Sequence, residues 1–356
     1  MGGLQWDVSW HRSIGRDTAT TPAHIAIYIS GLLAGVYCGY LILAPTFSRE
    51  HPLRDVSVKV LGFRGPFGAF AGAWGGLALL TSVPFDGWWH LAYGLDVKIL
   101  SPPHILFGMG ILALELGTLF LIAAARNRAS GTLRNVLDAL YLYASAMVLL
   151  IMVTVLSEYL SRVYMHSAVF YLAVAIAAAP VLAACSLASG NKWAASIIAG
   201  LYTLFVCCFT WLLPLFPATP RLGPILHPIT HFVASEFPLL LVAPALAIDL
   251  LRQRSQNPRG WRNALACGLS FQCVLLAVQW PFASFLMSSS SRNAFFATAS
   301  FGYDVPPSSD FLLSRFTVFE KTPAQFALIL AAAFAATVVL FYGGSQWGAW
   351  MRRIKR

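Results

Sequence analysis

Residues 103–125 read PHILFGMGILALELGTLFLIAAA, and Glu115 is their only acidic or basic residue apart from the histidine near the start. A helix needs about 20 mostly apolar residues to cross a bilayer, so this stretch is long enough to span one. Comparable runs lie on either side, at 23–45, 62–83, 135–157, 166–188, 193–215, 230–251, 261–285 and 323–344. The expected fold is therefore an all-α polytopic membrane protein with about nine transmembrane helices. The composition agrees: 356 residues, 58% hydrophobic and only 11% charged, leave too little polar surface to cover a soluble domain of this size.

The net charge of +10 would suggest a phosphate-binding surface on a soluble protein. Here the basic residues gather in short loops, which is the signature of membrane orientation, so nucleic acid is excluded as a partner and the lipid bilayer is expected. Arg49, Arg54, Lys59 and Arg64 separate the first two runs, and Arg126, Arg128 and Arg134 separate the third and fourth. Lys192, the group Arg252, Arg254, Arg259 and Arg262, and the closing Arg352, Arg353, Lys355 and Arg356 continue the alternation. Those loops are expected to be cytoplasmic, with the N-terminus outside, the C-terminus inside, and a bacterial inner membrane as the setting. The first residues lack the basic and apolar regions of a signal peptide, so the mature chain is expected to begin there. All six cysteines fall in apolar runs and are expected to be free thiols.

On this topology His11, His24, His90, His104, His166, His227 and His231 share the extracytoplasmic side, and only His51 lies opposite. Several belong to a repeated pattern. Asp7-Val-Ser-Trp-His11 is followed by Asp17, Pro22 and His24, and Asp86-Gly-Trp-Trp-His90 is followed by Asp96, Pro102, Pro103 and His104. An Asp and a His four residues apart share one helical face, and a Pro-started helix brings the second His to its first turn. One carboxylate and two imidazoles then converge, a donor set that suits copper, zinc or iron and leaves coordination positions open. Asp17 and Asp96 are candidates for holding a ligand imidazole in one tautomer, or for capping a turn.

Weaker echoes occur later in the chain. His227 and His231, with Glu236 beyond them, form a possible third pair, while Thr322-Pro323-Ala324-Gln325 repeats Thr21-Pro22-Ala23-His24 with Gln in the place of His. Glu115, costly in hydrocarbon, is a candidate proton carrier or supporting partner, or a protonated side chain bonded to a neighbouring helix. Glu158, Arg162 and His166 stand four apart and could share a polar face.

The segment from Asp7 through His11 and Asp17 to His24 resembles the copper motif carried by one membrane subunit of the copper-containing membrane monooxygenases, the particulate methane and ammonia monooxygenases. Asp86, His90 and His104 resemble a second site of that same subunit, with Asp where the family has Asn. The resemblance covers residues 1 to about 125. It divides the chain into a metal-motif region at 1–130 and a further helical region at 131–356 without an assignable counterpart. It implies copper held by Asp7, His11 and His24 and by Asp86, His90 and His104, and oxidation of a small apolar substrate with dioxygen and an electron donor. It also implies further membrane subunits, although this chain carries no cupredoxin-like domain. Asp86 in place of Asn would add a negative charge and favour the oxidised ion. Copper storage, delivery or transport uses the same ligands and stands as the alternative, followed by a structural or assembly role in which the repeat is architectural.

Overall fold

A computed structural model describes residues 1–94, 100–298, 301–305 and 315–356. Asp96, one of the candidates above, lies outside the described residues. The elements in chain order are α1 (Gly2–Ser13), α2 (Pro22–Phe47), a hairpin of β1 (Val58–Val60) and β2 (Phe63–Gly65), α3 (Phe67–Tyr93), α4 (Pro102–Arg126) and α5 (Gly131–Val155). There follow α6 (Ala168–Ser189), α7 (Ala194–Leu212), α8 (Val242–Arg254), α9 (Trp261–Leu286) and α10 (Pro323–Met351). Eight of these, α2 to α7, α9 and α10, are long and apolar enough to cross a membrane, so the chain is read as a polytopic integral membrane protein.

The chain is mostly helical, as expected, with one short hairpin in which β1 and β2 pair antiparallel with Lys59 opposite Arg64. One expectation needs correction: the expected span at 230–251 is not a helix through its length, since helix begins only at Val242 and α8 has 13 residues. Eight spans among the described residues replace the expected nine. The apolar residues Phe232, Val233, Ala234, Leu239 and Leu241 are buried all the same, in irregular backbone. An apolar run therefore marks burial here and not helix. Such backbone persists away from water only where other groups satisfy it, and α1 supplies several. The Ser9 hydroxyl donates to the Val233 carbonyl, Arg12 donates to the Ala234 carbonyl, and the Val233 N–H donates to Ser13 Oγ. Deeper in, the Leu240 N–H donates to Gln279 of α9.

Helix α6 runs through the middle of the bundle and is buried along almost its whole length. By contrast, α2 exposes Ile29, Leu33, Val36 and Tyr40 on one side, an apolar face suited to lipid tails. Close packing comes from small residues, as membrane helices require. A Cβ at Gly75 of α3 would stand 2.7 Å from the Gly110 carbonyl of α4, and one at Gly68 would collide with that of Gly117. The α3 and α4 backbones thus touch, which fixes the end of α3 beside the start of α4. At that end lie all the histidines named above except His51, while Arg126, Arg134 and Asp138 form an ion-pair group at the other.

Candidate metal centre

Helix α1 is a short helix tucked into the bundle, its N-terminal end running deeper than its C-terminal end. A Cβ at Gly3 would meet Ile27, one turn into α2 from His24, which sets the two helices antiparallel at close range. Asp7 and His11 occupy one face of α1, and His24 sits in the first turn of α2 behind Pro22 at the helix start. Ligand atoms of Asp7, His11 and His24 all lie within 4.8 Å of one another. His24 Nε2 is 3.0 Å from Asp7 Oδ1, and His11 Nε2 is 3.9 Å from Asp7 Oδ2. Donors about 2.0–2.2 Å from one ion stand roughly 3–4 Å apart, so only small adjustments separate this set from a coordination shell.

The tautomer of His24 follows from its surroundings. Its Nδ1 lies 2.8 Å from the Thr18 carbonyl oxygen, which can only accept, so Nδ1 carries hydrogen and Nε2 turns toward Asp7. Metal-binding imidazoles are commonly oriented in this way by a backbone carbonyl. Asp7 Oδ1 is buried and has no hydrogen-bond partner among the described residues, despite the nearby Nε2. A buried carboxylate oxygen is costly unless a cation completes it; a protonated His24 at 3.0 Å can do so, and so can a metal ion held between the three donors, which the set fits. Asp17 Oδ2 lies 3.5 Å from His11 and 3.6 Å from His24, placing a second carboxylate against both imidazoles.

The second motif is built differently. Asp86 and His90 lie in the last turns of the 27-residue helix α3, not on a separate short helix, and His104 begins α4. Both of its imidazoles approach the carboxylate, His90 Nε2 at 3.3 Å from one oxygen of Asp86 and His104 Nε2 at 3.6 Å from the other, but unlike the first set the three donors do not all lie within 4.8 Å of one another. His90 Nδ1 faces the Gly94 carbonyl at 3.2 Å, as His24 faces that of Thr18. Asp86 Oδ1 is likewise buried without a hydrogen-bond partner among the described residues. The two sets are neighbours. Tyr28, its ring 5.8 Å from that of His24, is within electrostatic reach of Asp7, Asp17 and Asp86.

Other candidates are placed elsewhere. Glu115 lies eleven residues along α4 from His104, roughly 16 Å away at helical rise, and joins neither set. His227 and His231 stand in irregular chain, so their spacing of four does not give a common helical face. His231 pairs with Thr230 Oγ1, and the His227 ring lies 6.1 Å from that of Phe301. Glu236 turns away from both and accepts hydrogen bonds from Ser161 Oγ and the Arg162 N–H. Burial lowers the pKa of the Arg162 guanidinium, and the charge of Glu236 opposes that shift. His166 departs from Glu158 and Arg162, its ring stacked 4.2 Å from Trp280 and 3.6 Å from Phe316.

A cavity of about 500 Å³ opens beside the metal donors. Asp7 and His11 line it from the first set and His104 from the second. Sequence reasoning did not find this cavity, because its walls come from α1, α4, α5, α7 and residues 235–239, which share no motif. The only pointer in sequence was the cost of Glu158 and Glu236 beside apolar runs. Comparison with known proteins adds no relative: no family model, no curated protein and no solved structure matches the chain.

Proposed function

We propose that the protein is a copper-dependent membrane oxidoreductase that oxidises an apolar substrate with dioxygen, drawing electrons from a separate donor. The observation that carries this reading is the cavity lined by Asp7 and His11 of the first set and by His104 of the second. Asp7, His11 and His24 would hold one ion, and Asp86, His90 and His104 the other. Two imidazoles with one carboxylate suit copper, and equally iron or zinc, and leave coordination positions vacant; copper is chosen on the resemblance of the two motifs to the copper sites of the membrane monooxygenases. Bound copper supplies the one-electron chemistry that dioxygen activation requires.

The chain's own residues supply the remainder. The Thr18 and Gly94 carbonyls fix the orientation of His24 and His90, while Leu4, Val8 and Phe107 keep the cavity wall beside the donors apolar. A dry wall strengthens the electrostatic hold on the ions and limits side reactions. The expected setting is a bacterial inner membrane with the metal end outward, in company with other membrane subunits or further copies of the chain. Copper storage or delivery is the second reading, favoured by the position of both donor sets at one end of the bundle, where an ion can be handed over.

The test is elemental mass spectrometry with electron paramagnetic resonance on protein purified in native lipid, followed by oxygen uptake with a chemical reductant and an apolar substrate. Two copper equivalents with substrate-dependent uptake are expected. Copper without uptake, and with rapid release to a chelator, would replace the enzyme by the delivery protein, and absence of copper under replete conditions would refute both.

A further inference from the structure

The cavity beside the donors has a direction. Helix α5 runs toward the metal end of the bundle, and its residues from Leu150 to Val155 line the cavity, a depth of roughly 8 Å at helical rise. On the facing side α4 contributes His104, then Phe107 and Gly108 one turn deeper. Polar groups crowd the metal end, where Asp7, His11, Glu158 and Ser161 stand. The deep end is mostly apolar, with Leu150, Ile151, Val206 and Leu239 beside Tyr202 and Gln5.

We propose that this cavity binds a medium-chain amphiphile, its aliphatic part lying between α4, α5 and α7 and its polar end facing the donor groups, where Arg12 also lines the wall. The inference rests on the cavity being the substrate site and adds the class of substrate. At about 1.3 Å per methylene, an 8 Å depth takes an extended chain of about six to seven carbons, with the polar end beyond it. The volume agrees, since about 500 Å³ falls within the range of roughly 300–1,000 Å³ for pockets that enclose organic ligands. A one-carbon gas would leave most of the cavity empty, whereas a chain of this length buries its apolar surface against side chains already in place. Irregular backbone at 235–239 forms one wall and is tied to Gln5 through Ser235, so the chamber is formed before any ligand arrives.

Photolabelling with a diazirine-bearing eight-carbon alcohol tests the proposal in protein held in lipid nanodiscs, the labelled peptides being mapped by mass spectrometry. Saturable labelling of residues 150–155 and of the Val206 region is expected, competed by octanol and lost in Gly108→Trp. A Cβ at Gly108 has only Val155 nearby, at 3.4 Å, so a larger side chain there grows into the cavity. Val206→Trp fills it from α7 and serves as the second variant, and unchanged copper content in either shows that the donor sets survive. Labelling that stays on lipid-facing residues such as Leu33 and Val36, or that is unaffected in both variants, overturns the proposal. Saturable labelling without oxygen uptake would leave the ligand site standing and remove only the oxidase reading. Uptake that responds to one-carbon substrates while the cavity stays unlabelled would do the reverse.

Discussion

His24 Nε2 approaches Asp7 Oδ1 to 3.0 Å across the junction of α1 and α2. Asp86 Oδ1 and His104 Nε2, 3.6 Å apart, repeat the relationship across the junction of α3 and α4. In each pair a helix start delivers an imidazole to a carboxylate on a different helix, so neither pair survives if its two helices separate.

Replacing donors should therefore remove metal site by site. Asp7→Asn or His24→Ala should lose the first equivalent and retain the second, and His90→Ala should do the opposite. Asp17 touches both imidazoles of the first set from outside the three expected ligands, so Asp17→Asn should weaken binding about 10–100-fold without abolishing it. Competition with a chelator of known affinity measures the difference. Loss of both equivalents from one change would show that the sets are not independent.

The second site depends on glycines far from its ligands. A Cβ at Gly110 would come within 2.8 Å of the Leu79 backbone nitrogen and 3.0 Å of the Gly75 carbonyl, forcing α4 away from α3. Gly110→Ala should lower metal affinity at Asp86, His90 and His104 by roughly tenfold or more, although every ligand is present. The first site, on α1 and α2, should keep its affinity. An unchanged second site in chelator competition would remove helix spacing as its determinant.

Ser13 satisfies a buried N–H of the irregular stretch, at 2.8 Å from Val233 N. Ser13→Ala leaves that donor unpaired and should cost about 1–3 kcal/mol. Hydrogen exchange followed by mass spectrometry should show faster exchange at residues 232–236 with little change in α9 or α10. Uniform acceleration throughout the bundle would instead mean that the stretch has no local stability of its own.

His166 gives a pH dependence. Burial against Trp280 and Phe316 lowers its pKa below the ordinary 6.5, with the Trp280 carbonyl contact acting in the other direction. A histidine that protonates less readily when folded lets the unfolded chain bind more protons at acid pH. Stability on its account is present above about pH 6.5 and is lost as the pH falls below that value. Thermal unfolding between pH 7.5 and 5.5 should show a larger loss in the wild type than in His166→Gln. Equal losses would assign the acid sensitivity to other groups.

Much of this was readable in the sequence because lipid and metal each impose simple rules. Uninterrupted apolar runs located eight spans, and the spacing of Asp7, His11 and His24 and of Asp86, His90 and His104 named groups that the fold brings together. The failure at 230–251 has a physical origin. Hydropathy reports removal from water, and residues 232–241 are removed from it by α1, Tyr202 and Gln279 instead of by their own helical hydrogen bonds. For the same reason the pairing of Ser9 and Ser13 with Val233 was out of reach: the partners are more than 200 positions apart. For His227 and His231 the spacing of four carried no geometric meaning, because it defines a shared face only on a helix and both lie in irregular chain. The cavity was invisible because no single segment contains enough of its wall.

The attachment of α1 to residues 233 and 234 also sets an order in time. A ribosome delivers Asp7 and His11 first, yet the strip of backbone that seats their helix emerges more than 200 residues later. Asp86, His90 and His104 need only two adjoining helices, so their site can close while most of the chain is still unmade. The earliest ligands to be synthesised thus belong to the site completed last, and until then α1 is a helix whose Asp and His face no finished wall. On the proposed reading, capture of an ion by Asp7, His11 and His24 would be tied to completion of the bundle, and capture by Asp86, His90 and His104 would not.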